Sequence, residues 1–214
     1  MQLSLPLGRD RLLHDMRDRL VDTYGQMRNG PRHDPTSQCF KAMISSCTQD
    51  AVSQEAFWAL KDRFPCWDGL ADSTPAQIVE LIRDVTYEAD KAANLIDAAR
   101  HIRARRGRVD LEFLGSWDTQ AALGWLRRMR GIKAKSAAAT LNFSTLRRRV
   151  FVVDRHVLRV FNSLGVLDER ADFERGFRQL TRRMPDAWGS EDLYEFHWLG
   201  EPLGQSPPRH GGPV

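Results

Sequence analysis

The stretch LRRMRGIKAKSAAATLNFSTLRRRVFVVDRH, residues 126–156, decides how the chain folds. Leu126, Met129 and Ile132 are apolar positions around Gly131, and Ala137 and Leu141 carry on at helical spacing. The pattern predicts a helix, a tight hairpin and a second helix. Gly131 permits a turn that a side chain would obstruct, and Met129 and Ile132 are expected to anchor the hairpin in the core. The backbone N–H groups after Ile132 then open a helix, whose orphan donors and dipole suit a phosphate. A Gly-containing link is equally the mark of a plain helical corner; the flanking Lys133 and Lys135 favour the anion site. Residues 150–153 are apolar and mostly β-branched, too short for a sheet alone, and Asp154 closes them ahead of another helix.

Two side chains here carry chemistry. Lys135 stands near the start of the second helix, where the dipole, Lys133 and Arg130 all disfavour a protonated amine. A lysine so placed can be a Schiff-base nucleophile, whereas on spacing alone it is an ordinary surface lysine. Asp154 reads as an N-cap, as a carboxylate able to stabilise a developing cation, or as both. His156 could touch phosphate or brace its helix.

Charge is uneven. The chain of 214 residues has a net charge of +4, yet residues 91–159 hold sixteen Lys and Arg against five Asp and Glu, a local +11 that leaves −7 elsewhere. A basic middle on an acidic remainder points to a polyanion, with a solvated helical surface as the plainer reading. Three cysteines, Cys39, Cys47 and Cys66, fit a reducing compartment, and the lack of any Cys-x-x-Cys pair argues against a metal site. No apolar run approaches membrane-spanning length, and the start of the chain lacks a basic leader. The expected protein is soluble, cytoplasmic and monomeric, with no membrane partner.

Elsewhere the signals are helical. Residues 9–24 carry one apolar stripe through Leu12, Leu13, Met16, Leu20 and Val21, stopped by Asn29-Gly30-Pro31. Residues 39–48 place Phe40, Met43, Ile44 and Cys47 on one face. Thr74-Pro75-Ala76-Gln77 reads as a capping box. Residues 90–105 turn Leu95, Ile96, Ala99 and Ile102 inward, and Arg103, Arg105, Arg106 and Arg108 crowd the end. Further helices are expected at 53–64, 155–164, around Phe173 to Leu180, and at 192–199, with the tail from Pro202 fraying. The sum is an all-α chain.

These residues resemble endonuclease III and its relatives in the helix-hairpin-helix superfamily of DNA glycosylases. The matching segments are Met129-Arg130-Gly131-Ile132-Lys133-Ala134-Lys135-Ser136-Ala137 at the hairpin and Val153-Asp154-Arg155-His156 beyond it. Weaker matches are Met43 through Asp50, Lys91 through Ile96, and Phe196-His197-Trp198-Leu199. The resemblance implies an all-α, two-domain fold with a DNA-binding cleft between domains: residues 41–150 as a helical barrel with the hairpin, and 1–40 plus 151–214 as the second domain. It implies a flipped nucleotide, Lys135 as the amine that attacks the sugar, and Asp154 assisting. Arg130, Gly131, Lys133, Ser136, Cys47, Gln49, Arg155 and His156 are the expected DNA contacts. The partner would be double-stranded DNA with a damaged base or abasic site, and in a bacterium the protein would associate with the nucleoid.

The chain departs from the family in four places, one being Thr86-Tyr87-Glu88 where the family reads Gly-x-Tyr. Lys133 replaces a second hairpin glycine, Cys47 replaces the glutamine that fills the gap left by the flipped base, and no cysteine follows Trp198. No iron–sulfur cluster is therefore expected, and Arg147 to Arg149 or the arginines of 175–183 are candidates to compensate for the cluster loop. The function implied is base excision with lyase activity on oxidised pyrimidines. The alternatives are an abasic-site lyase, a glycosylase for a mismatch or oxidised purine, or a DNA-binding module without catalysis.

Overall fold

The computed structural model describes residues 6–28, 30–167 and 173–204. Among them are eleven α-helices, one 3-10 turn and no strand: α1 (Pro6–Tyr24), α2 (Pro35–Ser45), α3 (Asp50–Arg63), α4 (Asp68–Ala71), α5 (Pro75–Leu81), α6 (Glu88–Arg106), the 3-10 turn Glu112–Ser116, α7 (Thr119–Leu126), α8 (Ala134–Asn142), α9 (Arg155–Ser163), α10 (Phe173–Arg183) and α11 (Ser190–Gly204). They form two compact units, residues 31–149 and residues 1–30 with 150–214. The expected boundary at 40/41 would cut α2; the division instead precedes that helix.

In the unit of 31–149, α2 packs on α3 and α8, and α6 packs on α4 and α5. Phe40, Ile44, Phe57, Leu60, Leu95, Ile96, Ile102 and Leu141 are buried there. Helix starts are fixed by local chemistry. Asp34 Oδ1 accepts from the N–H groups of Thr36 (3.0 Å) and Ser37 (2.9 Å), with Pro35 at the first helical position. The Thr74 capping box forms as the sequence predicts, the Thr74 N–H donating to Gln77 Oε1 at 2.9 Å.

In the other unit, Phe151, Phe161 and Trp188 gather around Phe196 at 5.9, 6.1 and 4.9 Å between ring centroids. An ionic cluster ties α1 to α11. Glu195 on α11 is fully buried and accepts from Arg17 of α1, from Arg28 Nε at 3.2 Å and from the Met27 N–H at 3.1 Å. Trp188 donates to His14 Nδ1 at 3.2 Å beside it.

Four features differ from the sequence reading. Helix α1 ends at Tyr24 as expected, but left-handed Gly25 (φ +81°) follows it ahead of Asn29-Gly30-Pro31, and Leu12 of the predicted stripe is exposed. Helix α2 stops at Ser45, so Cys47 lies beyond the helix and is exposed rather than packed with Phe40 and Met43. Helix α4 and the 3-10 turn are too short to carry a periodic signal. Helix α11 runs through Pro202 to Gly204, and the rest of the expected frayed tail lies outside the described residues.

Glu195→Ala should leave Arg17 and Arg28 without their buried acceptor and lower stability by about 3 kcal/mol or more, read by urea unfolding. A loss below about 1 kcal/mol would show that the cluster does not hold the two helices together.

Candidate active site

The hairpin forms as its sequence predicts. Met129 and Ile132 are buried, and the Ile132 N–H donates to Met129 O at 3.2 Å. Gly131 between them has φ +80°, a conformation that costs other residues roughly 1–2 kcal/mol. Space is tight as well: a Cβ on Gly131 would lie 3.1 Å from the side chain of Asn94 on α6, which would have to give by a few tenths of an ångström. Lys133 then takes the N-cap position of α8 with no side-chain cap bond. The helices that begin at Pro35, Thr119 and Arg155 each have a capping aspartate. The first turn of α8 therefore offers backbone donors with no side-chain acceptor of its own at the N-cap.

Arg130, Lys133 and Lys135 are exposed around this turn, and Lys135 is the second residue of α8. Ser136 is buried, so what it can offer a phosphate is its backbone N–H. Arg148 of the basic turn is committed elsewhere: its guanidinium donates to Gly115 O (2.9 Å), Trp117 O (2.8 Å) and Thr119 Oγ1 (3.0 Å).

Cys47 and Gln49 sit on the short link from α2 to α3, both exposed, with Cys47 at φ +58°. The residue that shapes this link is Lys91, absent from the expected set. It is buried on α6, and its ammonium donates to Ile44 O (2.6 Å), Ser46 O (2.5 Å) and Thr48 Oγ1 (2.9 Å). The Ile44 carbonyl would receive the Thr48 N–H in a continuing helix; that N–H goes to Ser45 O at 3.2 Å instead. Lys91 thus stops α2 and holds the link by its last carbonyls. Its signal in the sequence was a lysine on the apolar face of a helix, four residues before Leu95.

Hairpin and link therefore both lie against one helix, α6, the hairpin close to Asn94 and the link bonded by Lys91. Asp154, Arg155 and His156 belong to the other unit. Asp154 is 5% exposed and caps α9, its Oδ1 accepting the Val157 N–H at 2.9 Å. The capping reading of this residue is thus formed. His197 on α11, also buried, approaches Oδ2 with Nε2 at 4.0 Å while Nδ1 bonds Val152 O at 2.8 Å. A carbonyl only accepts, so Nδ1 carries a proton. His197 fixes the backbone two residues before Asp154, and its place between Phe196 and Leu199 gave no sign of it. Arg155 is exposed and His156 half-buried in the first turn of α9.

Burial pulls the Lys91 amine down to about 8, with Cys47 acting weakly the other way. An unfolded lysine holds its proton to about pH 10.5. Between these values the unfolded chain binds more protons at this site, so the site makes stability rise with pH. The stability of the protein relative to Lys91→Met should therefore increase from pH 8 to 10.5 in urea unfolding. A difference that is flat or falls across that window would contradict the burial of a charged amine.

The comparisons with known proteins agree with this geometry. Residues 40–185 match the HhH-GPD superfamily of base excision DNA repair proteins. An Arabidopsis thaliana protein provisionally named a DNA glycosylase is 30% identical over 146 residues, 68% of this chain, and the chain spans about half the length of that relative, 50%. The fold resembles a trapped endonuclease III–DNA covalent intermediate (TM-score 0.71, 14% identity, 90% of this chain and 84% of that one). It also resembles a thermostable thymine-DNA glycosylase (0.71, 14%, 95% and 90%). A third likeness is the Clostridium acetobutylicum 8-oxoguanine glycosylase/lyase bound to DNA (0.70, 19%, 92% and 67%). At these identities the solved structures speak for the fold, and the sequence match speaks for descent. With a hairpin turned on Gly131 and a lysine opening the helix behind it, the chain belongs to the helix-hairpin-helix superfamily of base excision DNA repair proteins.

Proposed function

We propose that the protein is a bifunctional DNA glycosylase and abasic-site lyase that removes oxidised pyrimidines from double-stranded DNA. The observation that carries this reading is Lys135: exposed, in the first turn of a helix without a side-chain cap, directly behind the Gly131 turn. A lysine needed only for phosphate would gain nothing that Arg130 and Lys133 do not already supply.

Phosphates of the damaged strand bind the α8 N-terminus, Arg130 and Lys133, and the target nucleotide leaves the stack. Cys47 and Gln49 on the link held by Lys91 fill the space it vacates. The Lys135 amine, once deprotonated, attacks the sugar C1′ and forms a C–N bond. The C1′–base bond breaks, and the base departs with the bonding pair and takes up a proton. Asp154 stabilises the positive charge that develops on the sugar. Opening of the sugar ring gives an imine, and loss of a C2′ proton then expels the 3′ phosphate and cuts the strand.

The proposed enzyme is a monomer that uses no iron–sulfur cluster. A cluster of that family type needs four thiolates. The sequence has three cysteines, and burial pushes the Cys39 thiol up to about 12.

The test is a panel of duplexes carrying an oxidised pyrimidine, an oxidised purine, a mismatched thymine or an abasic site, assayed with and without a separate strand-cleavage step. The oxidised pyrimidine should be released and the strand cut without that step, and Lys135→Ala should abolish the cutting. Base release without cutting would overturn the lyase assignment. Release from another lesion but not from the pyrimidine would overturn the substrate class.

A further inference from the structure

A groove lies between the second half of α6 and α7, wholly within the unit of 31–149. Its volume is about 610 Å3, inside the ~300–1,000 Å3 span of small-molecule clefts. Trp117 and Trp125 form its aromatic wall, His101 leans on Trp125 at 5.3 Å, and Arg105 and Arg128 stand at its rim. No carboxylate lines it. None of the candidate site residues lines it either.

Three observations suggest a ligand rather than a packing remnant. The first is Gly124. It lies inside α7, where glycine costs about 1 kcal/mol against alanine, and its φ is not positive. A Cβ there would meet nothing within 4 Å, so the core does not demand the glycine; its effect is to leave the groove open. The second is ring geometry. The aromatic pairs of this cluster cross at 47° to 84°, so none is stacked face to face. Trp117 is half-exposed, and the Arg105 guanidinium lies 5.9 Å from its ring centre. The third is charge: the groove sits in the basic middle of the sequence and presents two guanidiniums beside the rings.

We propose that this groove binds an unpaired nucleotide of single-stranded DNA, with the base stacked on Trp117 and the adjoining phosphates met by Arg105 and Arg128. Aromatic faces joined to cations are the means by which proteins hold single strands without reading sequence. Such a site would hold a displaced or frayed strand beside the hairpin, since Arg128 precedes Gly131 by three residues. It stands apart from the excision reading, because none of its residues is assigned a part in the chemistry.

The probe is fluorescein-labelled oligothymidylate, with inorganic polyphosphate of equal charge as the charge control. Trp117→Ala should weaken oligothymidylate binding at least about fivefold, and Trp117→Phe should restore most of it. Gly124→Leu, which fills the groove with a helix-favouring side chain, should weaken binding to a similar degree; if Trp117→Ala fails to fold, this variant decides alone. Strand cutting on a damaged duplex should stay within about twofold of wild type in both, whereas Lys135→Ala should lose cutting and keep single-strand affinity. Unchanged oligothymidylate binding in the folded variants would overturn the proposal. So would equal affinity of the wild type for the polyphosphate, which would reduce the groove to a patch of charge.

Discussion

The close approach of the hairpin to α6 is the constraint from which the candidate site follows. At φ +80°, and with a Cβ due to fall 3.1 Å from Asn94, position 131 favours glycine strongly. The turn it makes leads into α8, and the start of α8 sets where Lys135 stands. The same helix fixes the α2–α3 link one turn earlier, through the three bonds of Lys91. One helix thus aligns the backbone donors, the nucleophile candidate and the exposed pair Cys47 and Gln49. Chemistry that depends on position gains most from such rigid supports.

The other unit treats its carboxylate with similar economy. Residues 150–154 are buried and belong to no helix or strand, and Asp154 itself is extended. His197 takes one carbonyl of this segment, and α9 takes one oxygen of Asp154. A carboxylate held by its cap bond in a buried segment keeps its position, as a group that acts by position must.

Much of this was legible in the sequence, and the losses have physical reasons. The hairpin could be read because glycine, flanking apolar residues and helical spacing are all local signals. The Thr74 box could be read for the same reason. The end of α2 could not: it is imposed by an ammonium from a residue 43 to 47 positions away. Periodicity alone carried the helix on and turned Cys47 inward. The Glu195 cluster, joining chain segments 167 to 178 positions apart, was invisible on the same grounds. Arginines at the end of α6 read as one group, suited equally to the helix dipole and to phosphate. In the structure Arg103 pairs with Asp72, and Arg105 and Arg106 lie over aromatic rings. Charge counts cannot separate those roles.

The central claim is that the amine of Lys135 becomes covalently joined to the sugar of the damaged nucleotide. Borohydride reduction of the protein with an abasic duplex, followed by protease digestion and peptide mass mapping, tests it most directly. The account predicts a reduced sugar remnant on the peptide containing Lys135 and on no other. A remnant on Lys133 or Lys91, or trapping undiminished in Lys135→Ala, would contradict it.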